Sequence, residues 1–119
     1  MSAPNIVNVT SIVGKTAVQA VGTSAGTIAI NSAASNKVFK VNDLTISNVD
    51  GTNTVDITVD IYRSSTAYRL AYQISVPPKS TLVVIGKDSP IYLEEGDALR
   101  CTANYASRAE AVCSYEEIS

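Results

Sequence analysis

Apolar and polar residues alternate with a period of two over residues 54–63, and this alternation most constrains the fold. Val55, Ile57, Val59 and Ile61 point to one side of an extended chain, and the residues between them point to the other. This pattern is typical of a strand with one buried face and one solvated face. Helical periodicity is absent almost everywhere, so the sequence predicts an all-β protein.

Similar runs follow one another, with turn residues between them. Residues 67–76 form the next predicted strand, with Tyr68, Leu70, Tyr72, Ile74 and Val76 in phase, and the short link at 64–66 predicts a hairpin. In residues 37–49 the apolar phase slips near Asn42-Asp43, which predicts a β-bulge. Further strands are expected at 80–86, 91–93, 98–105 and 109–118, with a loop at 106–108 that would set Cys101 opposite Cys113.

Eight or nine short strands in 119 residues suit an antiparallel two-sheet β-sandwich or jelly roll, with one domain overall. Residues 37–119 are predicted to form the sandwich core. Residues 1–36 differ, because small residues dominate and Lys15 is their only charge. They predict weak strands at 6–13, 17–21 and 27–31. These form either an extended N-terminal arm, docking through Ile6, Val7, Val9 and Ile12, or ordinary edge strands.

Composition argues against several classes of function. The chain has no histidine, which removes the commonest general base and metal ligand, and its net charge of −2 includes no basic block for nucleic acid. No apolar run approaches the roughly 20 residues of a membrane span. Residues 1–5 resemble neither a secretory signal nor a transit peptide, so we expect folding in a cytoplasm. There Cys101 and Cys113 would be free, buried thiols.

The remaining polar clusters favour structural roles. Asp56 and Asp60 are predicted on the solvated face of one strand, where a glycosidase pair or calcium site is the less favoured interpretation. In the acidic turn Glu94–Asp97, Gly96 is expected to supply a positive φ and Asp97 to bind local amides. We predict no catalytic, cofactor or metal site. Arg63, Arg69 and Tyr62 are candidate anchors of a protein interface.

Five stretches of the chain carry a resemblance to a known family. They are Lys37–Gly51, the strand Val55–Tyr62, Leu70–Leu82, the turn Ile91–Asp97 and the ending Cys113–Ile118. These stretches resemble small virion structural proteins of tailed bacteriophages, especially marine cyanophage-type viruses. Together the stretches span about residues 37–118. The resemblance implies a scaffold in a virion assembled in the host cytoplasm, without an active site to carry over.

The leading hypothesis is therefore a non-enzymatic capsid decoration or cement protein that stabilises the head shell. A neck, tail or baseplate adaptor of the same virion is the alternative, and a carbohydrate-binding module is more remote. Expected partners are other virion proteins, either the major capsid protein or neck and tail proteins, together with further copies of the chain. Neither nucleic acid nor a membrane is expected as a partner.

Overall fold

A computed structural model describes residues 7–119, which form nine β-strands. They are β1 (Ile12–Val21), β2 (Gly26–Ile30), β3 (Val38–Asn48), β4 (Val55–Arg63), β5 (Thr66–Val76), β6 (Thr81–Ile85), β7 (Ile91–Leu93), β8 (Ala98–Ala103) and β9 (Ala109–Ile118). Among these residues no helix is long and apolar enough to cross a membrane.

The strands form two antiparallel sheets packed face to face, which confirms the predicted β-sandwich. Sheet A has the order β1-β9-β3-β6, and β7 pairs with β3 next to β6. Sheet B has the order β2-β8-β4-β5. The first two strands are therefore the outermost strands of sheet A and sheet B.

Strand pairing is nested along the chain. The first strand pairs with the last, β2 with β8, β3 with β6 and β7, and β4 with β5. The innermost pair is the predicted hairpin, whose turn is made by Ser64 and Ser65 with φ of 52° and 60°. Positive φ at both central residues matches the right-handed twist of the two strands.

The core lies between the sheets and follows the period-two pattern. Leu44 and Ile46 of sheet A are fully buried, as are Ile57 and Leu99 of sheet B. Each such side chain contributes about 1.5 to 3 kcal/mol when it leaves water. The predicted bulge is confirmed, because the β3–β9 register shifts between Val41 and Asp43 and brings Leu44 onto the buried face.

The predicted hairpin between residues 98–105 and 109–118 is wrong. The chain crosses from sheet B to sheet A after β8, so Cys101 lies opposite Val59 while Cys113 lies opposite Leu44. Both cysteines are buried and free, as predicted. The two weak strands expected at 6–13 and 17–21 are replaced by β1, which runs unbroken because it pairs with the whole of β9.

The predicted apolar row of residues 67–76 is only partly buried. Val76 is buried, but Tyr68, Leu70, Tyr72 and Ile74 are 40 to 59% exposed. The physical reason is position, because β5 is the outer strand of sheet B and its register with β4 shifts twice. Alternation alone does not distinguish such a strand from a central one.

Candidate interaction surface

The acidic turn between β7 and β8 is held by hydrogen bonds to the side chain of Asp97. Gly96 has a φ of 93°, and Asp97 is only 2% exposed. The Asp97 carboxylate accepts hydrogen bonds from the Glu94 amide at 2.8 Å and from Nε of Arg63 at 2.8 Å. These contacts confirm the predicted roles of Gly96 and Asp97.

Arg63, a candidate interface residue, is held within its own subunit. Its guanidinium lies 2.5 Å from Oδ2 of Asp97 and 3.0 Å from Oε2 of Glu94. The hydrogen bonds to Asp97 raise the pKa of Arg63 further above its usual range. The head group is thereby oriented at the end of β4, where 45% of the side chain stays exposed.

Asp60 is not on a solvated face, which corrects the sequence-based placement. It is 3% exposed and accepts a hydrogen bond of 2.8 Å from Nε of Arg100 on the neighbouring strand. The Arg100 guanidinium lies 4.0 Å from the centre of the Tyr62 ring. Asp56 has a separate partner, because its Oδ1 accepts a bond from Ser75. Within residues 7–119 no three acidic or cysteine side chains cluster as a metal site.

The other candidate contact residues lie in two places. Arg69 is exposed on β5, with its guanidinium 5.1 Å from the centre of the Tyr72 ring. Val7 and Ile12 are exposed near the start of β1, and Val9 is half-buried. Ile6 lies outside the described residues. Tyr62 and Arg63 are thus joined to Arg69 by the β4–β5 hairpin, while Ile12 lies on β1 at the edge of sheet A.

Four exposed apolar side chains lie on the outer strand β5, and we call this set the β5 strip. It consists of Tyr68, Leu70, Tyr72 and Ile74. Next to it, Ile61, Arg63 and Tyr68 line a largely apolar notch of about 250 Å³. No local sequence signal identifies the strip, because apolar and polar residues alternate in it as they do in a strand with one buried face.

Both thiols have raised pKa values. Burial raises the pKa of Cys101 to about 11 and that of Cys113 to about 12. Because the thiolate is the reactive form, neither side chain is an activated nucleophile at neutral pH.

Three charged residues form a cluster in sheet A, on β1, on β9 and just before β3. Glu117 lies 3.0 Å from Nζ of Lys15 and 3.1 Å from Nζ of Lys37. Burial acts to raise the pKa of Glu117, but the hydrogen bonds and charges of the two lysines outweigh it and lower the pKa below 4.5. The stability that this carboxylate contributes is therefore present above its unfolded-state pKa and is lost as pH falls through the folded value.

We expect Glu117→Gln to reduce the free energy of unfolding at pH 7 and to have a smaller effect at pH 3. Urea unfolding of both proteins at the two pH values measures this difference. An equal loss at pH 7 and pH 3 would contradict a role for the Glu117 charge.

No protein-family model matches the chain, and no curated protein sequence matches it. Solved structures do match. The capsid structure of Helicobacter pylori bacteriophage KHP30 contains a chain with 8% identity and a TM-score of 0.55, over 94% of this chain and 90% of that one. The disulfide-linked pili of Bacillus endospore appendages give 17% identity and a TM-score of 0.50, over 92% and 88%. The similarity shows a shared fold.

A weaker match is the crystal structure of a pentameric capsid protein isolated from metagenomic phage sequences. It has 20% identity and a TM-score of 0.43, and the match covers 98% of this chain and 64% of that one.

Proposed function

We propose that the chain is a non-enzymatic structural protein of a tailed bacteriophage virion that binds the head shell as a decoration or cement protein. The observation that carries this proposal is the fold shared with the KHP30 capsid chain over 94% of the residues. The nested pairing supports it, since this pairing is compatible with a double-sheet jelly roll in which β6 and β7 together occupy one strand position. Jelly rolls are common in viral capsids.

The surface of the sandwich supports a role in protein contact. A shell-binding protein needs one apolar surface toward the shell and polar surfaces toward solvent. The β5 strip and the adjoining notch supply the apolar surface.

The tyrosines favour protein contact over sugar binding. Three tyrosine rings lie against a guanidinium group. The distance to the ring centre is 4.0 Å for Arg100 and Tyr62. It is 5.1 Å for Arg69 and Tyr72, and 3.9 Å for Arg108 and Tyr105. Each of these rings therefore has one face against a guanidinium. A carbohydrate-binding module would need open aromatic faces, so these three rings favour a virion role over such a module.

A neck, tail or baseplate adaptor is the second candidate, and the exposed outer strand β1 favours it. A ring component could use residues 1–36 to engage its neighbour by strand addition. In that case the partner would be a neck or tail protein rather than the major capsid protein.

Counting bound copies tests the two candidates. Purified protein is incubated with particles of the encoding phage that were assembled without it, and bound copies per particle are measured by quantitative mass spectrometry. We expect saturation at hundreds of copies, spread over the head. A dozen or fewer copies at one vertex would support the adaptor instead, and failure to bind any particle would overturn both.

A further inference from the structure

The four lateral edges of the sandwich, within residues 7–119, differ in how well they are protected against pairing with another chain. Unpaired backbone groups on an outer strand are a template for a further strand, and bulges, charges, proline and short length all hinder such pairing. The edges are β1 and β6 with β7 in sheet A, and β2 and β5 in sheet B.

Three of these edges are protected. β5 has two register shifts against β4, and Gln73 within it has a φ of 51°. β2 has five residues and a register shift between Thr27 and Ala29. β6 and β7 have five and three residues, and a turn containing Pro90 separates them.

β1 has none of these protections. Its ten residues pair with β9 in one unbroken register, from Ile12 opposite Ile118 to Val21 opposite Ala109. It contains no proline, and its single charge, Lys15, is bound by Glu117 at 3.0 Å. The backbone groups on its outer side have no strand partner in the described chain.

We propose that β1 is the edge through which two copies of the chain associate, antiparallel about a two-fold axis, so that sheet A continues from one copy into the other. An isologous contact of this kind sets each strand against an identical strand. The proposal deepens the assembly role and rests on the proposed function for its biological setting.

The side chains of sheet A indicate the register. A row of β-branched residues crosses its outer face, from Val83 through Thr45 and Val112 to Val18 on β1. With Val18 opposite Val18 of the second copy, this row continues across the axis. β-Branched residues directly opposite one another stabilise antiparallel pairs.

The charges of β1 are compatible with this register. Lys15 falls opposite Val21 of the second copy, so the two lysines do not face each other across the ladder. Like charges directly opposite would be destabilising. The paired segment then runs over residues 15–21.

The area available predicts a weak dimer. Seven paired residues span about 24 Å along the strand. The smallest dimension of the molecule is 19 Å, so the contact surface of each copy has an area on the order of 450 Å². Specific stable interfaces bury about 800 Å² per partner. We therefore expect a dissociation constant of about 10 to 100 μM, which becomes relevant where many copies are held together.

Sedimentation equilibrium of the full chain from 1 μM to 1 mM tests the proposal. We expect a monomer–dimer equilibrium in the wild type, and at least a tenfold weaker one in Val18→Lys, which places a charge on the proposed axis. Val83→Lys is the matched control, because it makes the same change on the same face at the opposite edge, at a residue that is 60% exposed compared with 74% for Val18. It should dimerise like the wild type.

A wild type that stays monomeric up to 1 mM, or equal weakening by both variants, would overturn the proposal. Hydrogen exchange gives a second readout, since amides of β1 should become more protected as concentration rises, and unchanged protection in the dimer would also overturn it. The purified chain alone is measured, so failure here is separate from failure to bind phage particles. Equal unfolding free energies of the two variants exclude loss of folding as the cause.

Discussion

Replacing Asp97 with alanine is expected to lower the free energy of unfolding by about 2 to 3 kcal/mol. The substitution removes the acceptor of the Glu94 amide and of the Arg63 guanidinium in a site that is almost closed to water. The loss stays below that of a fully buried ion pair because Arg63 keeps access to solvent. Urea unfolding measures the change as a lower midpoint with an unaltered slope.

Asp88→Ala provides the matched control, because Asp88 is an exposed aspartate in another turn. Its effect should stay within about 0.5 kcal/mol. Arg63→Ala completes a double-mutant cycle in which the two losses should not add, since both remove the same contact. Full additivity of Asp97→Ala and Arg63→Ala would mean that the turn is stabilised without this ion pair.

Replacing Leu70 and Tyr72 together with aspartate is expected to weaken binding to phage particles at least 100-fold. Full burial of an apolar side chain contributes about 1.5 to 3 kcal/mol, and Leu70 and Tyr72 are already about half buried. Losing both therefore removes about 1.5 to 3 kcal/mol, and each 1.4 kcal/mol is tenfold in affinity. Aspartates buried without partners at the interface would add to this loss. Titration of labelled protein against particles that lack it measures the affinity.

Val83→Asp is the control for this experiment, because it adds an acidic group to an exposed apolar position on the other sheet. It should leave binding close to that of the wild type. If the β5 double variant binds normally while folding normally, the strip does not face the shell.

The local sequence predicted well where strands form, but it predicted poorly which strands pair with one another. The hairpin at Ser64-Ser65, the bulge after Val41 and the turn at Gly96 depend on residues adjacent in the chain, and all three are confirmed. The placement of Cys101 and Cys113 depends on which sheet a strand joins. That choice is made by packing between distant segments, so spacing alone could not settle it.

The exposure of residues on the candidate surface was also poorly predicted from the local sequence. Asp60 occupies a polar position of an alternating strand, but Arg100 from β8 covers it and removes it from solvent. The residues of the β5 strip occupy apolar positions, but an outer strand leaves them exposed. In both cases the decisive contact comes from a segment far away in the sequence.

The nested pairing also fixes the order in which the chain can fold during synthesis. β1 emerges first from the ribosome, yet its partner β9 is completed only at Ile118. At 5 to 20 residues per second, β1 stays without that partner for roughly 5 to 20 s. Residues 1–36 contain no aromatic side chain, but their valines and isoleucines and their single charge, Lys15, favour pairing with other strands during this wait. Of the nine strands in residues 7–119, β1 therefore waits longest for its partner within the chain.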